Sequence, residues 1–162
     1  LPRMTFNPRA PRFIRTLVAH IEDGLVLTVG LLSGAAIAGI SGETIVLIGT
    51  IFVFTAGISV AAKNMVARGE EIANSPSIKP FVKESLMMTL FYIVAGIVPL
   101  LPYMLMDVSG AFTASTVCSF AAAFIIGLWS GHTGRAVWKS AYHMAYVAAA
   151  GAIIGAIAHS VL

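Results

Sequence analysis

The chain has 162 residues, 58% of them hydrophobic and only 10% charged, with a mean hydropathy of +0.91. A water-soluble domain carries about 25% charged residues, and a soluble core of this size would leave large apolar patches uncovered; a water-soluble globular domain is therefore excluded. The single Cys118 excludes an intrachain disulfide framework and fits no thiolate metal site, and a net charge of +3 says less than where the charges lie.

Five apolar stretches follow one another. The first, 16–40, carries Glu22 and Asp23 near its start. The second covers 44–62, the third 86–106, the fourth 111–130 and the fifth 141–162. Each is near the ~20 residues a spanning helix needs. Backbone groups in hydrocarbon must be satisfied internally, which predicts helices, and the strict alternation of a membrane barrel strand is missing. The connections 41–43 and 107–110 are short, so their flanking helices should form antiparallel hairpins. The expected fold is an all-α polytopic membrane protein with five transmembrane helices. Residues 1–15 form a basic arm and 16–162 a single transmembrane domain.

The charges orient this domain. Arg3, Arg9, Arg12 and Arg15 precede the first stretch, Lys63, Arg68, Lys79 and Lys83 flank the second connection, and Arg135 and Lys139 fall between the fourth and fifth stretches. With five crossings all ten cations fall on one side, and the opposite loops hold only Glu43 and Asp107. The positive-inside rule then puts the N-terminus in the cytoplasm, and the basic arm suits anionic lipid head groups better than nucleic acid. A bacterial inner membrane and a vacuolar or other organelle membrane satisfy this rule equally. The Arg-rich start has no small-residue cleavage site after it, and a chain beginning at Leu1 leaves a preceding domain open.

Small residues recur every fourth position: Gly30, Gly34 and Ala38 in the first helix, Gly57 and Ala61 in the second, Gly151 and Gly155 in the fifth. Such faces let backbones approach closely. They serve packing within one subunit or the seam of a homodimer; the stripe of the first helix is the longest and is the expected seam.

Polar groups gather at the basic ends of the helices: His20, Glu22 and Asp23; Lys63, Asn64 and Met65; Glu84, Met87 and Met88; His132; and His143. The other half of the bundle has little comparable beyond His159. Carboxylates and imidazoles within a membrane bundle mark ion paths, and carboxylate, imidazole and thioether together suit iron(II) or manganese(II). Glu22 and the two methionines also have ordinary readings, an interfacial ion pair with Arg15 or Lys139 and packing. Asp23, followed by Gly24, is expected to face the interior and bind the cation, with Glu22 about 100° away facing Lys63 or Lys139.

Three segments carry a family resemblance. "EDGLVLTVGLLSG" resembles the N-D-G-L-V-x-T-x-x-L-x-x-G opening of the vacuolar iron transporter family, "AGISVAAKNM" its second-helix G-A-L-S-M-A-A-G-E-Y, and "AGIVPLLPYML" its third-helix G-x-x-x-P-L-L-P-Y-x-L. The resemblance runs from about Ile14 onward. It implies a five-helix dimer that carries iron(II) or manganese(II) out of the cytosol in exchange for protons, as transported ions rather than bound cofactors. There are departures. Val60 stands for the family's Met, Asn64 for its Glu, Lys63 for a Gly and Glu22 for an Asn. The family's long acidic cytoplasmic insert is reduced to 66–83, with "NSPSIKP" reading as a turn before a helix start.

The implied metal set is Asp23 as primary ligand with Glu22, Asn64, Met65, Met87 and Met88; His20 or His143 would move protons or complete the shell. Lys63 among these ligands repels a cation unless paired or turned away. It supports an alternative, an accessory membrane subunit of a larger complex that keeps the scaffold without transporting. An enzyme is not expected: there is no nucleophile triad with loop context, phosphate loop or HExxH pair.

Overall fold

A computed structural model describes residues 12–129 and, beyond them, Tyr142, Tyr146, Ala149, Ala150, Ile153, Ile157, Ser160 and Val161. The described residues are helical with short connections and contain no strand: α1 Arg12–Ile37, α2 Gly42–Ala67, α3 Gly69–Ala73, α4 Lys79–Leu105 and α5 Val108–Trp129. The four long helices are each long and apolar enough to cross a membrane. The protein is an all-α polytopic membrane protein. The fifth expected crossing, with His143, Gly151 and Gly155, lies largely outside the described residues; those described between 142 and 161 are helical.

The helices overrun the apolar stretches at the basic end. α2 continues to Ala67 and α4 begins at Lys79, seven residues before the apolar run. Pro80 in the first turn explains the start, since its missing N–H is unpaired there in any helix. At the other end α1 stops at Ile37, before the predicted Ile40, because Gly39 takes a φ of 75° and turns the chain into α2. Ser41 and Thr44 bond through their hydroxyls at 2.8 Å across that turn.

α4 is the central helix, touching α1, α2 and α5. It packs at backbone range against glycines. A Cβ at Gly24 would lie 2.7 Å from the Tyr92 carbonyl oxygen, one at Gly57 2.7 Å from Ile93 Cγ1, and one at Gly96 2.8 Å from Val53 Cγ2. Gly57 of α2 therefore serves packing inside the subunit, the first of the two readings its sequence allows. Hydrogen bonds reinforce this seam. The Thr89 hydroxyl donates to the Gly57 carbonyl at 2.9 Å, and Asn64 Nδ2 to Ser85 Oγ at 2.7 Å. The outer face of α2 shows Leu47, Ile51, Phe54 and Ile58, a stripe suited to lipid.

The buried side chains form two clusters. One, at the basic end, joins Leu17, Ile21 and Leu25 of α1 to Val60, Met88, Tyr92 and Ala123. The other joins Leu32, Ala35, Ile45, Leu100, Tyr103 and Ala111.

The connections after α2 and after α4 are tied down by side chains. Arg68 donates to Glu71 at 2.9 Å, bonds Glu84, and lies 4.9 Å from the centre of the Phe81 ring. These bonds, that to Glu71 first, hold its pKa above the ordinary guanidinium value. At the opposite end the Asp107 carboxylate accepts from Ser109 Oγ at 2.5 Å and from the Gly110 N–H at 3.2 Å, capping α5.

Two outcomes follow. Gly24→Ala places a Cβ against backbone, so α1 and α4 must separate, at a cost of about 1–3 kcal/mol; Gly69→Ala, with nothing within 4 Å of the new atom, is neutral or slightly stabilising. Thermal unfolding in nanodiscs compares the two. The bonds from Ser109 and then Gly110 hold the Asp107 carboxyl below its ordinary pKa. Its stabilisation is thus present above the ordinary carboxylate range and is lost as pH falls through the lowered pKa. Asp107→Asn should lower the thermal midpoint at neutral pH, with the gap to the parent closing in acid.

Candidate metal site at the basic end of the bundle

The inward line of α1 is set by packing. Leu17, Ile21, Gly24, Leu25, Thr28 and Leu32 face the bundle, each buried. Gly24 must lie on this line because only a residue without a Cβ fits against the Tyr92 carbonyl. Asp23 lies two positions from both Ile21 and Leu25, hence about 160° around the helix from each. It is exposed, on an outward line with Ala19 and Leu27, while Glu22 is half-buried. The expected arrangement, Asp23 facing the interior and Glu22 turned away, is therefore corrected. Of the two carboxylates, Asp23 points away from the subunit core.

Around Asp23 the structure gathers part of the expected set. His20, three residues earlier and half-buried, lies on the same side of α1. Lys63 is exposed at the basic end of α2. Asn64 and Met65 are half-buried at the same end of α2. Asn64 is already engaged: its bond to Ser85, which is 3% exposed, fixes the amide against α4.

The two methionines separate. Met87 is 36% exposed and Met88 1%, as neighbours about 100° apart must be when one faces the core. Met88 sits in the apolar cluster with Ile21, Val60 and Tyr92. That surrounding gives its thioether the ordinary work of filling a core, in place of the ligand role expected of it. His143 lies outside the described residues. Among those described, no group of three or more His, Cys, Asp or Glu stands close enough to hold a metal ion. One subunit's described residues therefore supply an incomplete shell. Of the expected seam, Gly30 is buried within the chain and so serves internal packing, whereas Gly34 and Ala38 are half-buried.

The VIT family model matches residues 63–159, more than half of the chain. The chain belongs to the VIT family. The match takes in the third-helix proline motif and begins at Lys63; the α1 segment with Asp23 precedes it. A search of curated proteins returns no match. VIT proteins are membrane metal-ion transporters, which agrees with an integral membrane protein whose polar side chains collect at one end.

Glu84 is among the polar groups read from the sequence at this end, but neither its mate Arg68 nor Ser85, the mate of Asn64, is. Ser85 and Glu84 sit side by side on α4, and their mates one turn apart on α2. The 64/68 spacing on α2 against 84/85 on α4 is the signal in the sequence for this joint. The division of the methionines is open to measurement. Met88→Ala should cost about 2–5 kcal/mol of stability as a cavity forms, and Met87→Ala less than about 0.5 kcal/mol. Equal effects on metal binding with no difference in unfolding would contradict the packing role.

Proposed function

We propose that this protein moves iron(II) or manganese(II) out of the cytosol in exchange for protons, as a homodimer whose two α1 helices face each other. The observation that carries this reading is the outward, exposed position of Asp23 on a membrane-spanning helix. A charge held toward lipid is costly, by about 2.5–3.5 kcal/mol at the bilayer centre and less toward its edge, and the Gly24 contact that turns Asp23 outward supplies nothing to offset it. A second copy covering the Ala19–Asp23–Leu27 line removes that cost. It brings two Asp23 carboxylates together with two copies of His20. The shell left incomplete in one chain then closes across the seam, with Glu22, Met65, Met87 and the Asn64 carbonyl at its margin. Gly34 and Ala38 continue the seam toward the other end. Such a mixture of carboxylate, imidazole and thioether suits iron(II) or manganese(II). The short 66–83 connection, tied by Arg68, takes the place of the family's metal-collecting insert. Lys63, positioned near His20, favours the cation's departure and supports the accessory-subunit reading if transport fails.

Two measurements decide between them. In a Cys118→Ser background, Leu27→Cys should crosslink between subunits in nanodiscs and Leu25→Cys, 1% exposed and inward, should not. In proteoliposomes the parent should carry iron(II) or manganese(II), Asp23→Ala should lose at least ~100-fold of that flux, about 2.7 kcal/mol in the barrier, and Lys63→Gly should keep it. A parent that carries neither metal, or Asp23→Ala carrying it like the parent, would make the chain a scaffold within a larger membrane complex.

A further inference from the structure

α4 contains two prolines within its membrane span, Pro99 and Pro102. Each lacks an N–H, so the carbonyls of Ala95 and Val98 lose their helical donors. In hydrocarbon such carbonyls are re-satisfied by side chains or by water. One side chain does reach this break: the buried Ser115 hydroxyl on α5 donates to the Pro99 carbonyl at 2.7 Å. The Ala95 carbonyl, one turn nearer the basic end, is the next acceptor along.

Two unpartnered donors flank that turn. Ser119 is one turn beyond Ser115 on α5, which runs antiparallel to α4, so it stands beside Ala95 as Ser115 stands beside Pro99. Thr28 approaches from α1, its Oγ1 3.1 Å from where a Cβ on Gly96 would lie. Both residues are 0% exposed, and neither hydroxyl has a hydrogen-bond partner. This is not the habit of hydroxyls elsewhere in the bundle. Thr50 bonds back to the Val46 carbonyl at 2.7 Å, Thr116 to Phe112 at 2.8 Å, and Thr55 to Ile51. Such back-bonding is the standard way for a helical threonine to satisfy itself. Thr28 does not use it and is aimed at α4. The same helix carries two more buried, unpartnered hydroxyls, Tyr92 before the turn and Tyr103 after it.

We propose that the 95–99 turn of α4 is an internal water site, in which ordered water bridges the Thr28 and Ser119 hydroxyls to the Ala95 carbonyl and relays the exchanged proton across the middle of the membrane. The relay half rests on the exchange reading given above. Three polar partners match the roughly three bonds a buried water makes. A water at this point takes a proton on a lone pair and passes another of its own onward; no atom is gained or lost, and the water and hydroxyls turn back before the next passage. Tyr92 and Tyr103 extend the polar line over eleven residue steps of α4, about 16 Å, or half of the ~30 Å hydrocarbon layer. The line runs inside the subunit, apart from the outward Asp23, so metal and proton take separate routes.

Radiolytic hydroxyl labelling of the protein in nanodiscs tests the water. Tyr92, 2% exposed, should be oxidised at a rate within about tenfold of exposed Met106. The Thr28→Val/Ser119→Ala pair, which keeps volume and apolar packing, should lower that rate at least fivefold. Pro99→Ala, which returns a donor to the Ala95 carbonyl, should lower it as well. Tyr92 left unlabelled while Met106 is labelled would overturn the site. Proton counterflow into proteoliposomes, read with an internal pH dye during manganese(II) movement, tests the relay. The double variant should pass at least tenfold fewer protons per metal while equilibrium manganese(II) binding is unchanged. Undiminished counterflow would overturn the relay. A parent that moves no metal would overturn the exchange reading and the relay with it, while the labelling would still decide the water site.

Discussion

The contact between Gly24 and the Tyr92 carbonyl fixes more of this protein than any other. It lets the α1 backbone come against α4 at a distance that no side chain permits. Once Gly24 is committed to the seam, the rotation of α1 about its own axis is set, and with it the direction of every polar group near its basic end. Ile21 and Leu25 go inward with Gly24, and Asp23 is carried to the opposite side. The carboxylate's placement is thus a consequence of a steric requirement one residue away. The same logic recurs at Gly57 and Gly96, where α2 and α4 close on each other. Without a hydrophobic force between helices in lipid, such close contacts and the hydrogen bonds they admit supply the cohesion.

That dependence explains what could be read from the sequence and what could not. Hydropathy alone gave the helical membrane fold and the helices at 12–37, 42–67, 79–105 and 108–129 to within several residues, because membrane thickness imposes length. The boundaries missed at the basic end, where the chain leaves hydrocarbon and polar residues can continue a helix without penalty. Gly39 ends α1 three residues early through a left-handed turn that hydropathy does not register. The candidate site was legible as a set but not as a geometry. His20, Asp23, Lys63 and Asn64 lie at one end of α1 and α2. Which way Asp23 points depends on whether Asp23 or Gly24 is needed on the inner line, and that is decided by α4, some 70 positions later in the chain. Met88 was misjudged for the same reason: 87 and 88 are equivalent in composition and differ only in the face they present.

The departures from the family motif are coherent when taken with their partners. Asn64 stands where the resemblance has a carboxylate, and its amide is bonded to Ser85. A carboxylate there would face a hydroxyl able to donate to it, so the pair accommodates either residue in size and bonding while the charge differs. Arg68, one turn on, is neutralised by Glu71 and Glu84 and stacked near Phe81. The Arg68–Glu71–Glu84 network at the α2–α4 end is therefore closed on itself, and Lys63 stands outside it, exposed at the same end of the bundle as His20 and Asp23.

Among the described residues the interior offers a metal ion no alternative. The cluster from Leu17 to Ala123 is apolar, and the buried polar atoms beyond it are hydroxyls without charge. A divalent ion crossing there would exchange its hydration for a few neutral oxygens, a loss far larger than hydroxyls repay. A proton makes a smaller demand, since it moves by exchange along bonds that hydroxyls and water already form. If the chain exchanges metal for protons as proposed, the outward carboxylate and the inward hydroxyls divide it by the kind of ion each can accommodate. Gly24 enforces the division, holding α1 at the one rotation in which Thr28 faces α4 and Asp23 faces away from it.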